Sequence, residues 1–311
     1  MKKVFLAILV APFFFTSCDK VENPYPPQVS FGTWDLYPDG DSTHYYTNVF
    51  QAFTVNANTE RNVLIEDFTG HKCVFCPAAA VEAHNIELAN PGRVFTAGIH
   101  ASPNGIGNFQ QIDAPTYVED FTCAEGLDIA TYFGNDWAGS PFQGNPYGAV
   151  SRYDGGNGFP VQSPSTWNAS ATSLISANDL KVNIQAQANY YPGTRGLFLH
   201  TELDVLDAGL SNELRTVVYL IQDSIQKPQL FPAPTNDSLE YVHHDVMRGC
   251  IDGKTFGQEL DVNHLDVNGK YYFNYIYELP SQYDPTNMHL LIYVRDAVTE
   301  EIYHVIEKHI Q

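Results

Sequence analysis

Apolar and polar positions follow two regimes along this chain. In the first, residues 63–69 (VLIEDFT) predict a buried strand, residues 70–72 a short turn, and residues 77–90 (PAAAVEAHNIELAN) a helix. Asn90-Pro91-Gly92 stops that helix, and residues 93–100 (RVFTAGIH) predict a second buried strand. Residues 101–115, rich in Gly, Asn and Pro, predict a loop, and residues 116–134 predict helix interrupted at Gly126. Residues 147–153 predict a strand, 154–158 a turn and 159–162 its hairpin partner, with a closing helix capped by Ser163 or Ser165 and running to about Ser176.

The second regime starts at residue 178. Strand-like runs recur at 181–191, 197–206, 214–222, 242–250, 271–279, 288–294 and 302–310, with Gly, Asn, Pro and Asp clustered between them. This spacing predicts an antiparallel, immunoglobulin-like sandwich. Ahead of both regimes, the alternation over residues 44–54 predicts a strand that docks on the following domain.

The N-terminus has a different pattern. Lys2 and Lys3 precede an apolar run of twelve residues, 4–15, too short to span a bilayer stably. Thr16-Ser17-Cys18 then resembles the lipobox of bacterial lipoproteins, which implies lipidation of Cys18; the alternative is an ordinary secretory signal. The chain divides on this reading into a signal (1–17), a proline-rich tether and N-terminal strand region (18–60), an α/β domain (61–177) and a β-sandwich (178–311). A length of 311 residues suits two domains, and 19 Tyr with 19 Phe favour strands. The formal charge of −20 becomes −22 once Lys2 and Lys3 leave with the signal, which argues against nucleic acid and anionic headgroups as partners.

Candidate chemistry concentrates in Cys73-Val74-Phe75-Cys76, set between a buried strand and a Pro-led helix. A helix N-terminus offers unpaired N–H groups and a partial positive charge, which favour thiolate over thiol. Asp67 lies six residues before Cys73, with Glu66 beside it, and alternation turns one of the two inward. Of the other cysteines, Cys123 and Cys250 are read either as a disulfide joining the two domains or, preferably, as buried free thiols.

The strand, the C-x-x-C, the helix, the strand RVFTAGIH and the proline-led GNPYGAVSRYDGG resemble the thioredoxin fold over residues 63–177. With the lipoprotein signal and the C-terminal sandwich, the whole chain resembles the Bacteroidetes outer-membrane lipoprotein family of the twenty-eight-kilodalton type. The resemblance implies Cys73 as an exposed nucleophile, Cys76 as the resolving thiol in a redox-active Cys73–Cys76 disulfide, and Asp67 as a proton relay. It implies a cis Pro146 that, with Asn145, presents an edge to a substrate strand. Lys72 and Phe75 depart from thioredoxin proper. Lys72 favours thiolate at Cys73, and Phe75 offers an apolar contact to substrate. The implied role is thiol–disulfide exchange on exported proteins at the outer membrane, on a face left open, with lipid as the membrane anchor, an unidentified redox partner and no cofactor. Two rival readings stand beside it: a copper or zinc site built from His71, Cys73, Cys76 and His100, and a non-enzymatic binding or structural lipoprotein with a permanent disulfide.

Overall fold

A computed structural model describes residues 33–210 and 213–310. The signal segment, Cys18 and the tether through residue 32 lie outside the described residues. The chain enters through a short 3-10 turn at Trp34–Leu36 and helix α1 (Ser42–Asn48). It continues through β1 (Val63–Thr69), α2 (Cys76–Ala89), β2 (Val94–His100), α3 (Ala124–Thr131), β3 (Tyr147–Val150) and α4 (Trp167–Ala177). The second half holds β4 (Val182–Tyr191), β5 (Gly196–Val205), β6 (Leu214–Gln222), β7 (Ile225–Gln226), β8 (Gln229–Leu230), β9 (Asp237–Ser238) and β10 (Val242–His243). It ends with β11 (Val246–Cys250), β12 (Gln258–Glu259), β13 (Lys270–Glu278), β14 (Met288–Asp296) and β15 (Ile302–His309).

One mixed sheet runs through both halves in the order β15-β14-β6-β11-β2-β1-β3, with β12 added beside β6. β1 and β2 pair in parallel from Val63–Val94 to Thr69–His100, and β3 runs antiparallel to β1, with Tyr147 opposite Phe68. The halves join where Val246 of β11 pairs with Gly98 of β2 and the Gly98 amide donates to the Asp245 carbonyl at 2.7 Å. A second sheet, β13-β5-β4, faces β6, β14 and β15. The change of character near residue 178 thus falls between α4 and β4, while the larger sheet and its hydrogen bonds continue across it.

Alternation decides which core each strand residue joins. In β1, Leu64 and Phe68 enter the core that also holds Ile99, Phe133, Tyr219 and Tyr293, whereas Val63 and Ile65 pack under α2 and α4 with Ala83 and Trp167. In β6, Tyr219 and Ile221 turn to the first of these cores and Val218 and Leu220 to the core shared with β4, β5 and β13. Glu66 follows Leu64 and Phe68, and Asp67 follows Ile65. Both acids are therefore buried, on opposite faces of β1.

Glu66 is matched by Arg152, just past β3, through two 2.7 Å hydrogen bonds from Nε and Nη2. Tyr219 and Tyr293 close the cluster from the second half: Tyr219 OH donates to Glu66 at 2.8 Å, and the Arg152 guanidinium donates to both hydroxyls.

Three sequence expectations change. The run 44–54 holds α1 rather than a strand, because Asp41 accepts from the Thr43 amide and caps a helix whose Tyr45 is buried with Tyr37 and Phe198. Residues 116–123 are not helical; the helix starts at Ala124 and widens into a π turn at Tyr132–Asp136. The partner of β3 shrinks to a single bridge, Gly148–Gln162, because Ser151 and Arg152 take positive φ and turn the chain away.

Candidate functional site

The site begins where β1 ends. The Cys73 amide donates to the Gly70 carbonyl at 3.0 Å, which closes the turn, and the Cys76 amide then reaches the Cys73 carbonyl at 3.3 Å as α2 starts. Cys76 opens the helix, with Pro77 in its first turn where a missing N–H is tolerated. Cys73 and Cys76 are joined as a disulfide with Cα atoms 5.4 Å apart.

The expected exposed nucleophile is not exposed. Cys73 and Cys76 are each 1% accessible, and the group that projects between them is Phe75, at 65%. Two segments remote in sequence supply the cover. The loop at 107–113 pairs with the turn: Lys72 N donates to the Phe109 carbonyl at 3.0 Å, and Gln110 donates to the Thr69 carbonyl at 2.6 Å. A side chain at Gly70 has no room beneath this loop, since a Cβ there would sit 2.7 Å from the Phe109 carbonyl oxygen. From the other side comes a strap, residues 225–243. Leu230 N donates to the His71 carbonyl at 2.8 Å, and the Gln229 amide donates to the Cys73 and Gly70 carbonyls at 3.1 and 3.4 Å. The strap is a pair of short ladders, β7 with β10 and β8 with β9. Tyr117 hydrogen-bonds Asp237 near its tip.

The Lys72 ammonium lies 3.0 Å from Asp113 Oδ2, so its charge is met by a carboxylate. Asp67 is buried on the α2 face of β1. It lines a cavity of about 280 Å³ together with Cys76, Ala80, His100, Tyr241 and His243. Asp67 is 3% accessible and its Oδ1 has no hydrogen-bond partner; burial pushes its carboxyl up to about 8.

The proposed metal set is not gathered. His71 has Nε2 3.1 Å from the Gln111 carbonyl, and both sulfurs are committed to the disulfide. Among the described residues no group of three or more His, Cys, Asp or Glu could hold a metal ion. His100 instead stacks on Phe121 with ring centroids 4.5 Å apart and neighbours His243 at 5.7 Å. Burial keeps His100 well below the usual histidine range and pulls His243 down to about 4. His244, the next residue, faces outward to Asp223 at 2.7 Å.

The Asn145–Pro146 peptide is cis and lies at the end of β1 from which the cysteine turn departs. Asn145 is used within the chain: Nδ2 donates to the Ala101 carbonyl at 2.7 Å, and Oδ1 accepts from Ser102 at 2.6 Å. The alternative disulfide does not form. Cys123 and Cys250 are free thiols, and burial, which pushes Cys123 up to about 12 and Cys250 well above the ordinary thiol range, keeps both protonated and unreactive.

The groups that sequence reasoning missed are Gln229 and Gln110. Nothing local to them marks them as neighbours of the cysteines. The one signal was negative, in that the segment 226–240 is rich in Pro and polar residues and reads as loop.

The family described as outer membrane protein Omp28 matches residues 142–311, more than half of the chain. The chain belongs to that family. Omp28 proteins are outer-membrane proteins, which places this chain at the outer membrane; among the described residues no helix is long and apolar enough to cross a bilayer. Among solved structures, the fold is similar to HBP35 of Porphyromonas gingivalis, at 13% identity and a TM-score of 0.59, over 82% of this chain and 77% of that one. It is also similar to protein AGR_C_4864 from Agrobacterium tumefaciens, at 9% identity and a TM-score of 0.50, over 82% of this chain and 97% of that one. A domain of the outer membrane lipoprotein Omp28 from Porphyromonas gingivalis matches at 23% identity and a TM-score of 0.28, over 43% of this chain and 90% of that one. No curated protein matches the sequence.

Proposed function

We propose that this Omp28 member is anchored to the outer membrane by lipid on Cys18 and exchanges thiols and disulfides with exported proteins through Cys73 and Cys76 when the strap opens. In this reading residues 61–177 work as a thioredoxin-like unit, and the second half, with its β13-β5-β4 sheet, serves as a sandwich-like support. The order β1, C-x-x-C, α2, β2, cis proline, β3 supports it.

One observation carries the reading: a buried carboxyl, Asp67, shares a cavity with Cys76 and has an oxygen without a partner. A permanent disulfide has no use for such a group, and leaving a buried polar atom unpaired costs roughly 1–3 kcal/mol. An exchanging pair does have a use for it. A substrate thiolate attacks Cys73 Sγ, the Cys73–Cys76 bond breaks, and a mixed disulfide forms. Cys76 leaves as a thiolate and takes the proton that Asp67 holds at neutral pH. A second substrate thiol, losing its proton to the surroundings, attacks the mixed disulfide and releases Cys73. The substrate dithiol is oxidised, the pair is reduced, and a separate disulfide-bearing redox partner reoxidises it. Run backwards, the same steps reduce a substrate.

The test is disulfide transfer between the purified protein and a reduced, unfolded secretory substrate, compared with Cys73→Ser. Transfer by the wild type and none by the variant is expected. Equal rates would leave the structural-disulfide reading in its place.

A further inference from the structure

We propose that the cavity behind Cys76 is a binding site for an organic ammonium group, free or carried on a lysine side chain. The site does not depend on exchange at the disulfide. Four side chains from three separate strands line the cavity and leave a buried polar atom without a partner: Asp67 Oδ1 from β1, Thr96 Oγ1 and His100 Nδ1 from β2, and His243 Nε2 from β10. His100 and His243 are each 5% accessible. Buried polar atoms are nearly always satisfied by protein or by something bound.

The chemistry of the wall selects the guest. Backbone groups of Pro228 and Lys227 hold the His243 ring. Proline has no N–H, so its carbonyl accepts and the ring donates. Since Nε2 has no partner, the donor is Nδ1, and Nε2 is left as an unpaired acceptor on a ring that lines the cavity. Asp67 adds a carboxyl that burial keeps protonated while the cavity is empty and that becomes a carboxylate acceptor when a bound ammonium displaces its proton; Asp245, held protonated in the same way, lines the same cavity. No lysine or arginine lines it, and His244, which does, spends its Nδ1 on Asp223 at 2.7 Å. Nearby Arg248 is turned away, over the Phe121 ring at 5.5 Å and onto the Asp120 carbonyl at 2.9 Å.

Acceptors without a cation call for a guest rich in donors, and an ammonium has three N–H donors and no acceptor. A bare metal ion fits less well, because no three of these donors come close enough to share one. Pro77, Ala80 and Val81 supply an apolar flank for an alkyl stem, and about 280 Å³ accommodates a chain of a few carbons.

The test is calorimetric titration of the full chain, oxidised, with n-propylammonium at physiological salt. n-Propanol, which lacks the charge, and tetramethylammonium, which lacks the N–H donors, are the comparison probes. Saturable one-to-one binding of n-propylammonium is expected, with at least tenfold weaker binding of both comparison probes. Asp67→Asn should weaken binding at least tenfold. Val81→Trp, at an exposed helix position that flanks the cavity without touching the polar wall, should weaken it similarly and guards against a folding defect in the first variant. Competition by N-acetyl-lysinamide would assign the site to protein lysines, and binding of n-propylammonium without such competition would assign it to free amines. Absence of saturable binding to the wild type, equal binding of n-propanol, or full affinity in Asp67→Asn would overturn the proposal and leave water as the cavity's occupant.

Discussion

The side-chain amide of Gln229 donates to the backbone carbonyl of Cys73 at 3.1 Å, across 156 residues of chain. This bond and its neighbour from Leu230 N to the His71 carbonyl hold the strap over the disulfide. A thiol or phosphine must approach Cys73 Sγ along the S–S axis, so reduction requires the strap to lift. Gln229→Ala removes two of the strap's bonds to the cysteine turn. At roughly 0.5–1.5 kcal/mol net for each bond, the open population rises severalfold or more. The expected result is reduction by a water-soluble phosphine several times faster than wild type, followed by quenching and thiol counting, with thermal stability changed little. An unchanged rate would show that the loop at 107–113, rather than the strap, controls access.

The buried pair Glu66–Arg152 ties β1 to the tyrosines of the second half. Arg152→Met leaves Glu66 charged and unpaired in the shared core, a change that costs about 3–5 kcal/mol. Glu66→Gln with Arg152→Met should recover a large part of that loss, because no orphan charge remains. Denaturant unfolding of the two single variants and the double variant forms the cycle that checks it. Additive losses would mean that the pair is not coupled.

Gly148 of β3 is the tightest position near the cis proline. A Cβ there would lie 2.3 Å from the Glu66 carbonyl oxygen and 2.5 Å from the Trp167 ring. Gly148→Ala must therefore push β3 away from β1 or displace α4. The expected outcome is a loss of several kcal/mol, at the upper end of single-site effects, seen as a large fall in the unfolding midpoint. Gly144, whose Cβ would meet nothing within 4 Å, is the matched control.

How much of this was legible depended on range. The strands β1 and β6 and the helix α2 could be read because two-residue and helical periodicities are local. Residues 44–54 misled because a run with two adjacent tyrosines alternates superficially, and the cap at Asp41 was the better signal. Parity alone also framed Glu66 and Asp67 as rivals, when β1 is covered on both faces and buries both. The cover over Cys73 had no local sign at all. It is made by backbone groups and by two glutamines, Gln110 in a loop and Gln229 in the two-residue β8, which pattern analysis treats as solvent-exposed. The joining of the two halves through Val246 and Gly98 was likewise invisible, since nothing in a strand's sequence names its neighbour in the sheet.

Asp67 also makes the fold sensitive to pH. Its carboxyl titrates near 3.8 when solvated and is pushed up to about 8 by burial in the native chain. The native state therefore binds this proton more tightly than the unfolded state does. Below the unfolded value both states hold the proton and Asp67 has no effect. Above it the unfolded chain gains stability by ionising, so native stability falls as pH rises from about 4 to about 8 and then levels off. At about 1.4 kcal/mol per unit, this destabilisation reaches several kcal/mol at pH 9. Asp67→Asn keeps the shape and removes the titration. Its unfolding free energy should match wild type at pH 4 and exceed it by several kcal/mol at pH 9, read from denaturant curves at intervening pH values. A parallel pair of curves would mean that Asp67 is paired or solvated in solution, and the argument that it serves Cys76 as a buried proton donor would fail with it.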